Sequence, residues 1–286
     1  MACRERSSPR PTRRAALRLA GAAIAVSPFA AAWGQQTPPL PGPPRMPPMP
    51  PMPPPHPPGG SMPTTGPLAN PEAGPRNIGV IGAGREGGAL GTLLAKAGHP
   101  VMFASRHPDQ LKDLVTEAGP QAKAGTVEEA IAFADAVLLV VPYPAIKDIG
   151  KDYGAALAKK ALVIDVSNPS AKRDGDDLVK SVDEQGGPGK ATAAMLPGCH
   201  LVRAFNAIGF AQLPQLAHRQ GDPVGVPIAG DDQNAIILAS RLIKEMGFEA
   251  VSVGGLAMGK YLVPGTPLAG VHTPAEIRDI VKTLKA

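Results

Sequence analysis

From residue 77 to residue 286 the sequence predicts a doubly wound α/β fold, a mostly parallel sheet with helices packed on both faces. Three observations carry this reading. Short apolar, β-branched runs recur along the chain, helical stretches with apolar residues at helical spacing lie between them, and the first run breaks into the glycines of "NIGVIGAGREGGALG" at residues 77–91.

The first strand, "NIGVI", ends at Gly82. The glycine turn opens a helix in which Leu90, Leu93, Leu94 and Ala97 recur at helical spacing until Gly98 stops it. "HPVMFASR" supplies a second strand, Ala136 to Val141 a further one ending at Pro142, and Ala161 to Val166 another ending at Asn168-Pro169. Leu201 to Phe205, Val224 to Ala229 and "FEAVSVGG" complete the sheet. Between the last two, "QNAIILASRLIKEM" is a helix with Ile236, Ile237, Ser240, Leu242 and Ile243 on its apolar face, capped by Asp231-Asp232. A short helix from Pro274 to Leu284 carries Ile277, Ile280 and Val281 on one side, either to close the sheet or to meet a second subunit in a homo-oligomer. One globular domain is expected for 77–286, because about 35 residues after the last strand are too few for a separate helical substrate domain.

The 35 prolines fall unevenly, eighteen of them between Pro38 and Pro75. Residues 35–76 therefore read as a disordered Pro/Met-rich linker of polyproline character that builds no core. Met46, Met49, Met52, Met62 and His56 in it are soft ligands suited to Cu(I), but without Cys or a second His the plainer reading is a biased spacer. Residues 1–34 hold six arginines and one acid, an apolar run from Leu19 to about Ala32, and the pair Arg13-Arg14 after Thr12. This is the layout of a twin-arginine export signal, cut after Ala32 or Gly34, with ordinary secretion or an uncleaved anchor as alternatives. It implies a periplasmic or otherwise exported protein with no stable membrane span after cleavage. Without the leader the chain has 23 basic and 23 acidic residues, so the net charge of +5 implies no nucleic-acid partner. Cys3 leaves with the leader, and Cys199 reads as a small packed residue.

The glycine turn carries the chemistry. Gly82 permits a tight turn, Gly84 removes the side chain that would block a pyrophosphate, and Gly87 lets the helix approach the strand. Free amides and the dipole at the helix start then favour phosphates. Where an NAD site places an acid after the second strand, this chain has Ser105-Arg106, donors suited to the 2′-phosphate of NADP. There is no Ser-His-Asp pattern, HExxH or CxxC pair. His200 and His272 are the titratable side chains that read as best placed to protonate a product, His99 and His218 read as turn residues, and Lys159-Lys160 and Lys172-Arg173 as solvated charges.

In this order, "IGVIGAGREGGALGTLLAKAGHPVMFASR", "VLLVVPYPA", "LVIDVSNP", "VRAFNAI", "VPIAGDD" and "GGLAMGKYL" resemble the Rossmann-like NADP oxidoreductases that reduce or oxidise a deazaflavin coenzyme of the F420 type. The chain also resembles the reductase part of membrane metalloreductases and, more distantly, pyrroline-carboxylate reductases. The resemblance implies a pyrophosphate loop of Gly82, Gly84, Arg85, Glu86 and Gly87, with Ser105 and Arg106 at the 2′-phosphate. It implies Val141 and Pro142 beside the ribose and nicotinamide, Asn168 and Pro169 across the cleft, and Asn206 on the substrate-facing wall. It further implies an NADP(H)-dependent oxidoreductase passing hydride to a small-molecule acceptor, a deazaflavin or a flavin. A ferric or cupric reductase and a non-catalytic nucleotide-binding module of the cell envelope are the alternatives. "GGLAMGKYLVPGTPL" matches the family only in part.

Overall fold

The computed structural model describes residues 74–285. The expected export leader and cleavage site, and the expected linker through residue 73 with its methionines and His56, lie outside the described residues.

Among the described residues eight strands form one sheet: β1 (Ile78–Ile81), β2 (Val101–Ala104), β3 (Ala122–Gly125), β4 (Ala136–Leu139), β5 (Leu162–Asp165), β6 (Leu201–Arg203), β7 (Gly225–Gly230) and β8 (Glu249–Gly254). Ten α-helices accompany them. They are α1 (Arg85–Lys96), α2 (Lys112–Ala118), α3 (Val127–Phe133), α4 (Ala145–Leu157), α5 (Ala171–Asp174), α6 (Asp176–Glu184), α7 (Pro188–Met195), α8 (Leu213–Leu216), α9 (Gln233–Glu245) and α10 (Pro274–Val281). The strand order is β3-β2-β1-β4-β5-β6-β7-β8, parallel from β3 through β6, with β7 antiparallel to β6 and β8 parallel to β7. The chain thus crosses over between β3 and β4, so β1 and β4 lie side by side as the topological switch point where such sheets bind ligands at their carboxyl ends.

The interior strands β1, β2, β4 and β5 are buried along their whole length, as continuous apolar runs require when helices cover both faces. Alternate residues feed two cores. Val80, Leu138 and Ile164 pack with Leu90 and Leu94 of α1 and Leu242 of α9, while Ile81, Val137, Leu139 and Val163 pack on the other face with Ile131, Ile146 and Leu157. Each fully buried aliphatic side chain contributes about 1.5–3 kcal/mol, so this two-sided burial fixes the strands' register and the position of their carboxyl ends.

Several details depart from the sequence expectations. β3, "AKAG", is an additional edge strand whose half-exposed, polar composition carries no period-two signal. In α9 the buried residues are Ala235, Leu238, Ala239, Leu242 and Ile243, and Ile237 is 55% exposed. His99 directly follows the Ala97–Gly98 turn that ends α1, and it is buried. It is 2% exposed, accepts the Arg76 backbone N–H at Nδ1 (3.0 Å) and meets Glu245 Oε2 through Nε2 (2.9 Å), tying the entry to β1 against α9. His218 does occupy a turn, with φ 53°. Asp232 caps α9, accepting from the amides of Asn234 and Ala235, whereas Asp231 accepts from Leu256. α10 closes the β7–β8 end of the sheet, where Ile277 is fully buried with Val251 and Val253, and a Thr273–Glu276 capping box starts it. Among the described residues no helix is long and apolar enough to cross a membrane.

Candidate functional site

A cleft of about 300 Å³ opens at the carboxyl ends of β1, β4, β5 and β6. Its floor is the glycine turn. Gly82 has φ +100°, and a Cβ there would stand 2.1 Å from the Val140 carbonyl oxygen, so no other residue fits this turn. A Cβ on Gly87 would stand 2.1 Å from the Gly82 carbonyl oxygen, which is the close approach of helix to strand. Gly84 differs from both, since a Cβ there would meet nothing within 4 Å and would project into open space. The first backbone bond of the α1 turn runs from Gly88 N–H to Gly84 O (2.7 Å), and Gly84 offers no side-chain cap. The amides of Arg85, Glu86 and Gly87 precede that bond at the positive end of a twelve-residue helix.

The opposite wall comes from the ends of β5 and β6, held by a polar cluster beneath it. Arg203 and Asp165 are both fully buried and form an ion pair through Nη1 and Oδ2. The same Nη1 donates to Ser167 O (3.0 Å), Nη2 donates to Asn168 Oδ1 (3.0 Å), and Asp165 accepts from Ser167 N–H (2.8 Å) and the Thr192 hydroxyl (3.0 Å). β6 stops at Arg203, and Phe205 turns into the left-handed region at φ 61°, a costly conformation for an aromatic residue. Its ring packs edge-on against Phe248 at 5.5 Å. This turn carries Asn206 into the wall, where its Nδ2 donates to the carbonyls of Asp165 (3.1 Å) and Ser167 (3.4 Å). Asn168 Nδ2 donates to Asn206 O, which locks the two asparagine loops together.

Glu86 lies on the floor of the cleft with Oε1 buried and unpartnered. Burial pushes its carboxyl up from an ordinary 4.5 to about 7, offset only in part by the backbone N–H of Phe210. The two arginines lining the same cleft are engaged elsewhere. Arg85 stacks over Phe210 at 5.5 Å, and Arg173 donates to both Asp174 oxygens and to Asn168 O at 2.7 Å each.

Of the residues singled out from sequence, Gly84, Arg85, Glu86, Gly87, Val141, Pro142, Asn168 and Asn206 line this one cleft. Gly82 forms the turn beneath it. Pro169 faces an adjoining hollow of about 550 Å³ that shares Asn168 and Arg173 with the cleft. Ser105 and Arg106 follow β2 immediately after Ala104, whose carbonyl accepts from the Gly82 and Ala83 amides, so they border the glycine turn rather than the cleft itself. The Ser105 hydroxyl oxygen accepts from His107 N–H, and Arg106 is exposed. His200 stands at the amino end of β6, away from the cleft, paired with Asp232. His272 holds Ala269 O through Nε2 and also lines no part of the cleft, so neither histidine is placed to protonate a ligand there. Burial pushes the Cys199 thiol up to about 11, in keeping with a packed residue.

Sequence reasoning missed three polar contributors. Arg173 read as a solvated charge, but it lines the cleft and braces the Asn168 loop. Arg203 and Asp165 sit inside apolar strand runs. The signal available was an Arg and an Asp in adjacent strands that bury every neighbour, since such charges are kept only as a pair.

Comparisons with known proteins agree with this architecture. Residues 77–169 match the family model described as NADP oxidoreductase, coenzyme F420-dependent. A glycerol-3-phosphate dehydrogenase [NAD(P)+] of Rhizobium etli is 28% identical over 222 residues, 65% of this chain and 68% of that protein. The crystal structure of a hypothetical protein from Sinorhizobium meliloti, 28% identical, superposes with TM-score 0.58 over 69% of this chain and 95% of its own. The crystal structure of a "putative F420 dependent NADP-reductase" from Arthrobacter sp. FB24 shares the fold at 19% identity, with TM-score 0.54 over 65% and 87% of the two chains. Residues 77–169 thus match the coenzyme F420-dependent NADP oxidoreductase family model, on a Rossmann-like fold.

Proposed function

We propose that the cleft binds NADP(H) and that the chain passes hydride between its nicotinamide and a deazaflavin or flavin-type acceptor. One observation carries the reading: an intact glycine turn with open space over Gly84 opens into a cleft at the carboxyl ends of the strands around the topological switch point. Residues present fit a dinucleotide. The amides of Arg85 to Gly87 would hold the pyrophosphate, and Ser105 with Arg106 would take a 2′-phosphate. Val141, Pro142 and Ile208 supply apolar walls around the ring. When bound, the cofactor supplies the hydride, and the protein's task is to bring two rings together and keep water out. No acid or base is needed in the cleft, which agrees with His200 and His272 lying off it. The same reading extends to location, with the N-terminal leader delivering the domain to the bacterial envelope. The test is to mix the full chain with NADPH and a deazaflavin, FMN or FAD, following loss of reduced-nicotinamide absorbance. Turnover with a ring acceptor supports the proposal. Saturable NADPH binding without turnover on any of these acceptors overturns the hydride-transfer part.

A further inference from the structure

We infer that the hollow of about 550 Å³ beside the cleft receives the hydride acceptor, and that Arg173, on the border between the two, is the cation that meets the charge the acceptor ring takes up. The inference rests on the hydride-transfer reading of the cleft.

Three observations carry it. The hollow and the cleft share Asn168 and Arg173, so they adjoin at the asparagine wall. A groove of about 440 Å³ along α1 also borders the cleft, but it shares only Gly84 and Arg85 with it. That groove meets the pyrophosphate end of a dinucleotide, whereas hydride leaves from the nicotinamide end, so the hollow is the neighbour an acceptor can use. The second observation is the lining. Pro169, Pro188, Pro264, Val179 and Val263 give the hollow mostly apolar walls, and the prolines fix their own backbone, which suits a flat ring held between preset faces. The third is the state of Arg173. Its side chain is 49% exposed and that of its partner Asp174 only 3%, so the carboxylate lies on the protein side of the guanidinium and a ligand can reach the arginine. Nε and Nη2 donate to Asp174, Nη2 also donates to Asn168 O, and Nη1 has no hydrogen-bond partner among the described residues. In a planar guanidinium Nη1 points away from the edge formed by Nε and Nη2, so the unpaired donor is turned from the buried carboxylate.

Hydride transfer gives a cation on this border its use. One C–H bond of the reduced nicotinamide breaks, and its proton and both electrons form a bond to the electron-poor atom of the acceptor, N5 in a flavin or C5 in a deazaflavin. The nicotinamide gains a positive charge and the acceptor ring a negative one, spread over its N1 and C2 carbonyl until solvent protonates it. A guanidinium N–H beside that edge binds the charged ring more strongly than the neutral one, and this difference lowers the barrier. Asp183 is the other charged residue lining the hollow, an acceptor suited to the imide N–H between the ring's two carbonyl groups. The acceptor class is therefore a fused ring with a pyrimidinedione edge.

The experiment follows NADPH oxidation by the full chain with FMN or a deazaflavin. Beside it stand the dissociation constants for NADP+ and, by fluorescence quenching with NADP+ bound, for lumiflavin, the flavin ring without its tail. Val263→Trp puts an indole into the hollow, so it should weaken lumiflavin at least about tenfold and leave NADP+ within about twofold of native. Arg173→Gln should lower kcat at least about tenfold, and Arg173→Lys, which keeps the charge, should recover part of that loss. Unfolding midpoints check that the variants fold. If Val263→Trp melts early, Ala171→Trp, at an exposed position of the same lining, takes its place. Native turnover with lumiflavin binding that the tryptophan leaves unchanged overturns the acceptor site and leaves hydride transfer standing. An Arg173→Gln variant that loses NADP+ affinity and turnover in equal measure overturns the role given to Arg173, which then serves the cofactor. A native chain that neither binds lumiflavin nor oxidises NADPH with either acceptor overturns the inference and the hydride-transfer reading together.

Discussion

If the cleft holds a dinucleotide as proposed, Glu86 makes its occupancy depend on pH. Its carboxyl titrates near 7 because burial disfavours the charge, and the Phe210 backbone N–H offsets this only in part. A pyrophosphate held on the amides of residues 85–87 adds negative charge beside it, which favours the protonated form further. Binding therefore takes up a proton above pH 7. If only the acid form binds, affinity falls about tenfold between pH 6 and pH 8. The assay is the dissociation constant of ADP-ribose across that range, chosen because its pyrophosphate charge does not change there and it has no 2′-phosphate to titrate. Glu86→Gln should bind with a flat profile, at the affinity the native chain reaches at pH 6. Stability follows the same group. A carboxyl raised in the folded state leaves stability intact below about 4.5, and stability is lost as pH rises through about 7. Glu86→Gln should accordingly raise the unfolding midpoint at pH 8 and leave it unchanged at pH 4. A slope that persists in Glu86→Gln, or a flat native profile, would refute the reasoning.

Three further outcomes follow from the geometry. Gly84→Ala places a methyl group in open cleft space, so it should keep the native unfolding midpoint and weaken NADP+ binding at least about tenfold, about 1.4 kcal/mol. Gly87→Ala instead drives a Cβ to 2.1 Å from backbone, so circular dichroism melts should show lost stability as well as lost binding. Arg203→Leu leaves Asp165 buried and uncompensated, and denaturant titration should show a loss of about 3–5 kcal/mol.

Periodicity and glycine placement made much of the fold legible, because strands buried on both faces have to be continuous apolar runs, and a dinucleotide turn needs glycine where backbone meets backbone. β3 escaped notice since an edge strand of small and charged residues has no face to bury. The antiparallel β7 is set by the path between Asn206 and Val224, in which no turn motif announces direction. Within the site, the loop and both asparagines stood out by following strand ends, whereas Arg173, Arg203 and Asp165 did not. Their roles arise from pairing between separate segments, with Arg173 reaching Asn168 across five residues and Arg203 reaching Asp165 across 38. The face of α9 was misplaced by about one residue because Ile236 and Ile237 are equally apolar, and only packing against β7 and β8 decides which is buried.

The dissociation constants of NADPH and NADH for the native chain and for Arg106→Ala test the proposed dinucleotide site and its preference for a 2′-phosphate. NADPH should bind at least about tenfold tighter, a difference of roughly 1.4 kcal/mol, and the variant should lose that preference. Equal binding of the two nucleotides by the native chain would contradict the 2′-phosphate assignment, and binding of neither would contradict the site itself.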